Sequence, residues 1–176
     1  MSEKLPSREQ ALQLLRENQC PVKVIKHCKA VTKIALETAN ALKEKGMKID
    51  SELVEIGALL HDIGRSKTHT VHHAVVGAEL AKSAGLPESV ISMIKRHVGG
   101  GITAREAEEL GWPKDIYAPI TLEEKIVSYA DKLIEDSKRV PVEITIQKLS
   151  NELKQDAAER VRKLHEEIAN LIGDDP

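Results

Sequence analysis

The chain is poor in aromatic residues. It has no Phe, one Trp and two Tyr among 176 residues. Single-stranded nucleic acid is held largely by stacking on aromatic faces, so polymeric nucleic acid is not an expected partner. No apolar run approaches the ~18 residues of a membrane-spanning helix, and the opening MSEKLPSREQ is too polar for a signal peptide. The expectation is a cytoplasmic protein with no membrane contact. The two cysteines, Cys20 and Cys28, form no CxxC and read as small, buried, reduced residues. A surplus of one charge is also missing. Charged residues make up 31% of the chain yet leave a net charge of -2, which does not suggest a polyanion binder.

What is present reads as helix throughout. With 176 residues and 41% hydrophobic content, the chain suits one well-buried core and a single domain over 1–176. Ser7 and Gln10 form a capping box ahead of Leu12, Leu14 and Leu15. Pro21 stands near the start of a second helix, running through Val24, Val31, Ile34 and Leu42 to a stop at Gly46. Asp50 or Ser51 caps SELVEIGALLHD, which is apolar nearly all round and is expected to be the central helix. Arg65 to Val71 reads as a loop. Further helices run from His72 or His73 to Gly85, from Pro87 to His97, from Thr103 to Gly111 and from Thr121 through LEEKIVSYADKLIE. A long amphipathic helix is predicted from about Thr145 to Ile172, with a stripe through Ile146, Leu149, Leu153, Val161, Leu164, Ile168 and Leu171. Packing on its own domain is the default for that stripe; a homodimer contact is the alternative. VPVEITI is the one β-like stretch, and it stands alone. The expected fold is an all-α bundle of about seven to eight helices.

The feature that speaks most of chemistry is the adjacent pair His61-Asp62 in ALLHDIGRS. Imidazole and carboxylate both ligate divalent transition metals. Neighbours on a helix point about 100° apart, so both can reach one ion at their shared edge. Other ligand types fall at helix positions: His27, His73, His97 and Asp131. Helical bundles build metal sites from such inward-facing side chains. His69, His72 and His73 form an alternative local cluster, and His165 reads as a solvated face residue.

The order His27, His61-Asp62, Asp131, with the extended run HDIGR, resembles the HD superfamily of metal-dependent phosphohydrolases and its HDIG subgroup. The similarity covers roughly residues 20–136; about 145–172 is a C-terminal helical extension. The resemblance implies an all-α HD domain in which His27, His61, Asp62 and Asp131 hold a divalent ion. His73, four positions before Gly77, and His97, at the end of a later helix, match the extra histidines of two-metal branches. They imply a second ion, with Asp62 bridging. Such a donor set favours Fe, Mn, Co, Ni or Zn over Mg or Ca. The chain departs from the HD-GYP branch, which commonly has two adjacent histidines where this chain has His97-Val98, and the GYP motif is missing.

What the resemblance implies is hydrolysis of a small phosphate ester by metal-activated water. Asp62 and Arg65 are the candidate catalytic residues. Arg65 stands where many HDIG proteins carry Lys; it keeps the charge and grips phosphate bidentately, but cannot give up a proton. Arg65, Gly99, Gly100 and Lys132 are candidate substrate contacts. Gly99–Gly101 reads either as an anion nest beside His97 or as a plain connection. A phosphodiesterase is the leading expectation. Short stand-alone HDIG proteins of archaea are similar, and one opens the 2′,3′-cyclic phosphate of a reduced pterin, so a nucleotide- or pterin-type cyclic phosphate is a candidate substrate. The alternatives are a 5′-nucleotidase or other phosphomonoesterase, and a non-catalytic module that holds metal and nucleotide.

Overall fold

The computed structural model describes residues 4–151 and 154–173, and the described chain is mainly helical. Its elements run α1 Arg8–Glu17, α2 Val22–Glu44, α3 Ser51–Leu60, a 3₁₀ turn Ile63–Ser66, α4 His73–Ser83, α5 Glu88–Lys95, a 3₁₀ turn Val98–Gly100, α6 Ala104–Glu109 and α7 Leu122–Lys132. The hairpin β1 Ile134–Glu135 and β2 Lys138–Arg139 follows, then α8 Val142–Asn151 and α9 Gln155–Ile172. Three helices start as their capping boxes predict. Ser7, Thr103 and Thr121 each accept from the backbone N–H three residues on, and Gln10, Glu106 and Glu124 bond back to the cap.

Helix α3 is the central element. Val54 and Ala58 join a cluster built with α2, α7 and α9, whereas Ile56, Leu59 and Leu60 join another with α1 and α5. Leu59 and Leu60 are fully buried. Burying each stabilises the fold by about 2 kcal/mol, which anchors the end of α3 where His61 and Asp62 follow.

The C-terminal region differs from its expectation. The single helix predicted over about 145–172 is two helices, α8 and α9, which pack on each other. This raises the helix count to nine α-helices among the described residues. The physical reason is packing. A straight helix would carry one half of the stripe away from the bundle. As a pair, Val142 of α8 and Val161, Leu164 and Ile168 of α9 bury against one cluster, with Ile146 and Leu149 partly buried on it. Leu153 of the stripe lies outside the described residues. Pro141 and the β-branched run after it belong mostly to α8, so the β-like VPVEITI is not a strand. Thr145 donates its hydroxyl to the Lys132 carbonyl at 2.7 Å and ties α8 to the end of α7. The segment read as a loop from Arg65 begins as a 3₁₀ turn. His165 is not merely solvated: it is half-buried and its Nδ1 lies 2.6 Å from the Tyr129 hydroxyl.

Gly64 sets the spacing of α4. A Cβ at Gly64 would overlap the His73 carbonyl oxygen and stand 2.8 Å from the Gly77 nitrogen. A Cβ at Gly77 would in turn meet the Gly64 nitrogen at 3.1 Å and Ile94 Cγ2 at 2.8 Å. Two glycines thus let the turn after Asp62 lie directly on α4, which begins with His73.

Gly64→Ala is expected to destabilise the protein by about 3 kcal/mol or more, because backbone must move. That lowers Tm by roughly 10 °C for a chain of this size; a thermal melt within a degree of wild type would contradict the packing. Cys20 and Cys28 are buried, and burial pushes the Cys20 thiol up to about 11 and also raises Cys28. Both thiols are therefore expected to resist iodoacetamide at pH 8 in the native protein and to react on unfolding, as read by intact-mass analysis.

Candidate metal centre

Five segments bring six candidate ligands to one place. α2 carries His27, the end of α3 delivers His61 and Asp62, α4 opens with His73, His97 follows α5, and α7 carries Asp131. They form two groups of potential ligand atoms, each within 4.8 Å. One is His27, His61, Asp62 and Asp131; the other is Asp62, His73 and His97. Asp62 is common to both, and its oxygens divide between them. Oδ1 lies 3.2 Å from Nε2 of both His73 and His97. Oδ2 lies 3.4 Å from His27 Nε2 and 3.6 Å from His61 Nε2. Asp131 Oδ1 closes the first group at 3.0 Å from His27 and 3.4 Å from His61.

The histidines are oriented by their other nitrogen. Nδ1 of His61, His73 and His97 meets the carbonyl three residues earlier, at Ala58 (2.6 Å), Thr70 (2.7 Å) and Ile94 (2.6 Å). His27 Nδ1 meets the Asp136 carbonyl at 2.6 Å. A carbonyl oxygen only accepts, so each Nδ1 carries the hydrogen and each neutral ring presents the lone pair of Nε2 to the centre. Lone pairs then face carboxylate oxygens and one another: His73 Nε2 and His97 Nε2 are 3.2 Å apart. His61 Nε2 is buried with no hydrogen-bond partner among the described residues. Acceptors gathered in this way need a cation between them. A divalent metal fits, and pinned Nδ1–H groups are the usual support of metal-bound histidine.

The electrostatics point the same way. Burial alone would raise the Asp62 carboxyl, but His61, His73 and His97 hold it well below the usual carboxylate range. Burial opposes ionisation of Asp131 too, and Lys132, His27 and His61 hold it low. For His61, burial is the largest influence and disfavours the charged ring, but Asp62, Cys28 and Asp131 together raise the pKa well above the ordinary value. Burial lowers His97 to about 4. The buried carboxylates thus favour positive charge at this point. A divalent ion held by these residues would supply that charge.

The remaining predicted residues fall around this cluster. Arg65 Nε lies 3.2 Å from Asp62 Oδ2, and its Nη1 donates to the His69 carbonyl at 3.1 Å. Lys132 is buried; its Nζ sits 2.8 Å from Asp131 Oδ2 and donates to the His97 carbonyl at 3.1 Å. His72 turns elsewhere, its Nδ1 accepting from Trp112 Nε1 at 2.8 Å. Of the alternative trio, His73 joins the metal-type groups while His69 and His72 do not. The glycine triplet is a packed turn. The Gly101 N–H is taken by the Val98 carbonyl at 2.7 Å, and Gly100 faces the Arg160–Val161 backbone of α9. Gly99 opens onto a cleft.

Sequence reasoning missed several supporting groups. Asp136 sits at φ 57° in the turn between β1 and β2, where its carbonyl reaches His27. Ser128 donates to the His97 carbonyl at 3.0 Å. The three i−3 carbonyls were implicit in any histidine near a helix end, but a contact across 109 positions carries no local signal.

Two clefts reach the centre. The larger, about 760 Å³, is lined by Arg65, His73, His97, Asp131 and Lys132 among others. The smaller, about 500 Å³, is lined by His27, Asp62, Arg65, His69, Asp131 and Asp136 among others. Arg65 and Asp131 line both. No helix among the described residues is long and apolar enough to cross a membrane.

Comparison with known proteins places these observations. The HD domain profile matches residues 24–136, which include all six clustered residues. An uncharacterised protein of Methanocaldococcus jannaschii is 48% identical over 166 residues, covering 93% of this chain and 98% of that protein. A tRNA (cytidine(56)-2′-O)-methyltransferase of Picrophilus torridus is 38% identical over 171 residues, covering 97% of this chain but 49% of that enzyme. The chain therefore spans about half the length of that relative. Among solved structures, the HD domain of the L. monocytogenes phosphodiesterase PgpH, in complex with cyclic-di-AMP, superposes with a TM-score of 0.58 at 19% identity. It covers 92% of this chain and 96% of that one, and shows the fold. With the profile spanning more than half of its length and both metal-type groups inside the match, this chain belongs to the HD-domain family, the superfamily of metal-dependent phosphohydrolases that its sequence resembles.

Proposed function

We propose that the protein is a metal-dependent phosphodiesterase that hydrolyses a small phosphate ester. The observation that carries this reading is the division of Asp62: one carboxylate faces two sets of histidines whose Nδ1–H groups are all pinned outward. His27, His61, Asp62 and Asp131 would hold one divalent ion, and Asp62, His73 and His97 would hold a second. Nitrogen and carboxylate donors together favour Fe, Mn, Co, Ni or Zn. When bound, such ions supply Lewis acidity and an acidified water for attack on phosphorus.

The chain's own residues do the positioning. Asp62 and Asp131 fix the centre, and Lys132 holds Asp131 from behind through its Oδ2. Arg65 stands where both clefts meet, and its guanidinium neutralises charge on the phosphoryl oxygens. Gly99 lines the larger cleft beside His97 and leaves room for the substrate body. In the reaction a water oxygen–phosphorus bond forms and that water gives up a proton, while the ester phosphorus–oxygen bond breaks and the leaving oxygen takes up a proton, so that none is gained or lost overall. Arg65 does not supply that proton, since guanidinium does not release one. The two clefts support a diester over a monoester, because each side of the phosphorus then has space for a substituent. The phosphodiesterase PgpH, with cyclic-di-AMP in its HD domain, is a neighbour in fold that fits this substrate class.

The test is metal analysis of anaerobically purified protein, then kinetics with that metal restored. Bis(p-nitrophenyl) phosphate is expected to be hydrolysed with kcat/KM at least about tenfold above p-nitrophenyl phosphate, a difference of one contact-sized interaction. The reverse order would make the protein a phosphomonoesterase, and tight nucleotide binding without turnover would make it a non-catalytic module. Asp62→Ala is expected to lose most bound metal and activity together. His73→Ala is expected to lower the metal content by about one ion per chain, and an unchanged ratio by plasma mass spectrometry would leave a single ion. Arg65→Lys should retain more kcat than Arg65→Ala, which should fall by about 10²-fold; equal rates in all three proteins would remove Arg65 from the mechanism.

A further inference from the structure

The larger cleft has a wall that the metal centre does not use. It comes from α8, α9 and the residue just ahead of α9, and it carries Lys148, Lys154 and Arg160. None of these belongs to the metal-type groups. Among the described residues of the lining, with Arg65 and Lys132 they make five cations, against three acids, Glu106, Asp131 and Asp156. Asp131 is committed to the histidine cluster and to Lys132.

The wall is fixed in place rather than loosely apposed. Gly100, three residues after His97, has no Cβ, and α9 fills that space: a Cβ there would stand 3.1 Å from the Val161 nitrogen and 3.3 Å from the Arg160 carbonyl carbon. Arg160 is oriented by Glu106, its Nη2 lying 2.9 and 3.0 Å from the two carboxylate oxygens. Burial works against the Glu106 charge, but hydrogen bonds from Thr103 and the Arg160 guanidinium hold the carboxyl below its ordinary value. Lys148 is exposed and its paired acid, Glu135, is 3.6 Å away. A pair of that kind is worth little in water, so the ammonium loses little by turning to a bound anion. Lys154 immediately precedes α9, whose first turn also lines the cleft.

Apolar side chains complete the lining: Val71, Val98, Ile102, Leu110, Ile134 and Leu149. The cleft therefore combines a metal-type end, apolar surface for an organic body, and a separate basic wall. About 760 Å³ is more than a single phosphate needs and lies within the usual range for a small-molecule site.

We propose that Lys148, Lys154 and Arg160 form a second anion subsite, and that the preferred substrate carries a second phosphate group joined through an organic body to the phosphate that is cleaved. This rests on the phosphohydrolase reading of the metal centre. It adds to that reading a substrate class, a small organic phosphate with at least two phosphoryl groups, and assigns the C-terminal hairpin of helices as its selector.

The experiment compares two dinucleotides with the same single internal diester, one bearing a 5′-phosphate and one without it. For the metal-loaded protein, kcat/KM is expected to be about tenfold higher for the phosphorylated dinucleotide, the size of one charge-assisted contact. In Lys148→Gln/Lys154→Gln, both exposed positions, and separately in Arg160→Gln, that ratio should fall toward one. A ratio near one in the wild type, or a ratio that both variants preserve, overturns the subsite. If neither dinucleotide is cleaved, the hydrolytic reading fails, and equilibrium binding of the same pair decides the subsite. Tighter binding of the phosphorylated form by wild type, lost in the variants, supports it; equal affinity throughout rejects it. A thermal melt of Arg160→Gln separates loss of the Glu106 pair from loss of the anion contact.

Discussion

The buried carboxylate of Asp62 is the constraint around which this protein is organised. Taking a carboxylate out of water costs several kcal/mol unless it is matched, and Asp62 is only 3% exposed. Asp62 is faced by one guanidinium and four imidazoles, drawn from α2, α3, α4, the end of α5 and the turn after α3. None of the imidazoles is free to rotate away, because a backbone carbonyl holds each Nδ1. The fold thus creates a deficit of positive charge at one point and fixes the directions from which it can be filled. A divalent ion would fill it, since it would meet several lone pairs at once.

Two packing features make that geometry available. The close approach of Gly64 to Gly77 brings α4, and with it His73, against the turn that follows Asp62. The close approach of Gly100 to α9 seats the C-terminal helices against the turn that follows His97. The first builds the centre, and the second builds a wall of the cleft in front of it. In both cases the missing side chain matters more than any contact it could have made, because interiors are close-packed and tolerate no overlap.

The parts legible in the sequence were those with local causes. Ser7, Thr103 and Thr121 marked helix starts because a cap and its partner lie three residues apart. His61-Asp62 was legible because neighbours on a helix end must share an edge, and the order of His27 and Asp131 around them carried the family resemblance. The C-terminal helix was misjudged because periodicity reports a face but not where the chain turns back. The run after Pro141 has β-branched residues, yet burial of Val142 on the bundle makes it helical, as tertiary packing overrides weak propensity. Asp136 escaped notice because its role lies in a backbone carbonyl, which any residue has.

The sequence by itself determined a helical chain with a central apolar helix and a set of metal-type ligands in a known order, because side-chain chemistry and helical period are local properties. Only the tertiary structure decided that Asp62 divides its two oxygens between two histidine groups and that Arg65 lines two clefts. It also decided that α8 and α9 fold back to put basic residues beside the centre. Those outcomes depend on which surfaces approach and how closely, and they are set by burial and excluded volume across positions far apart in the chain.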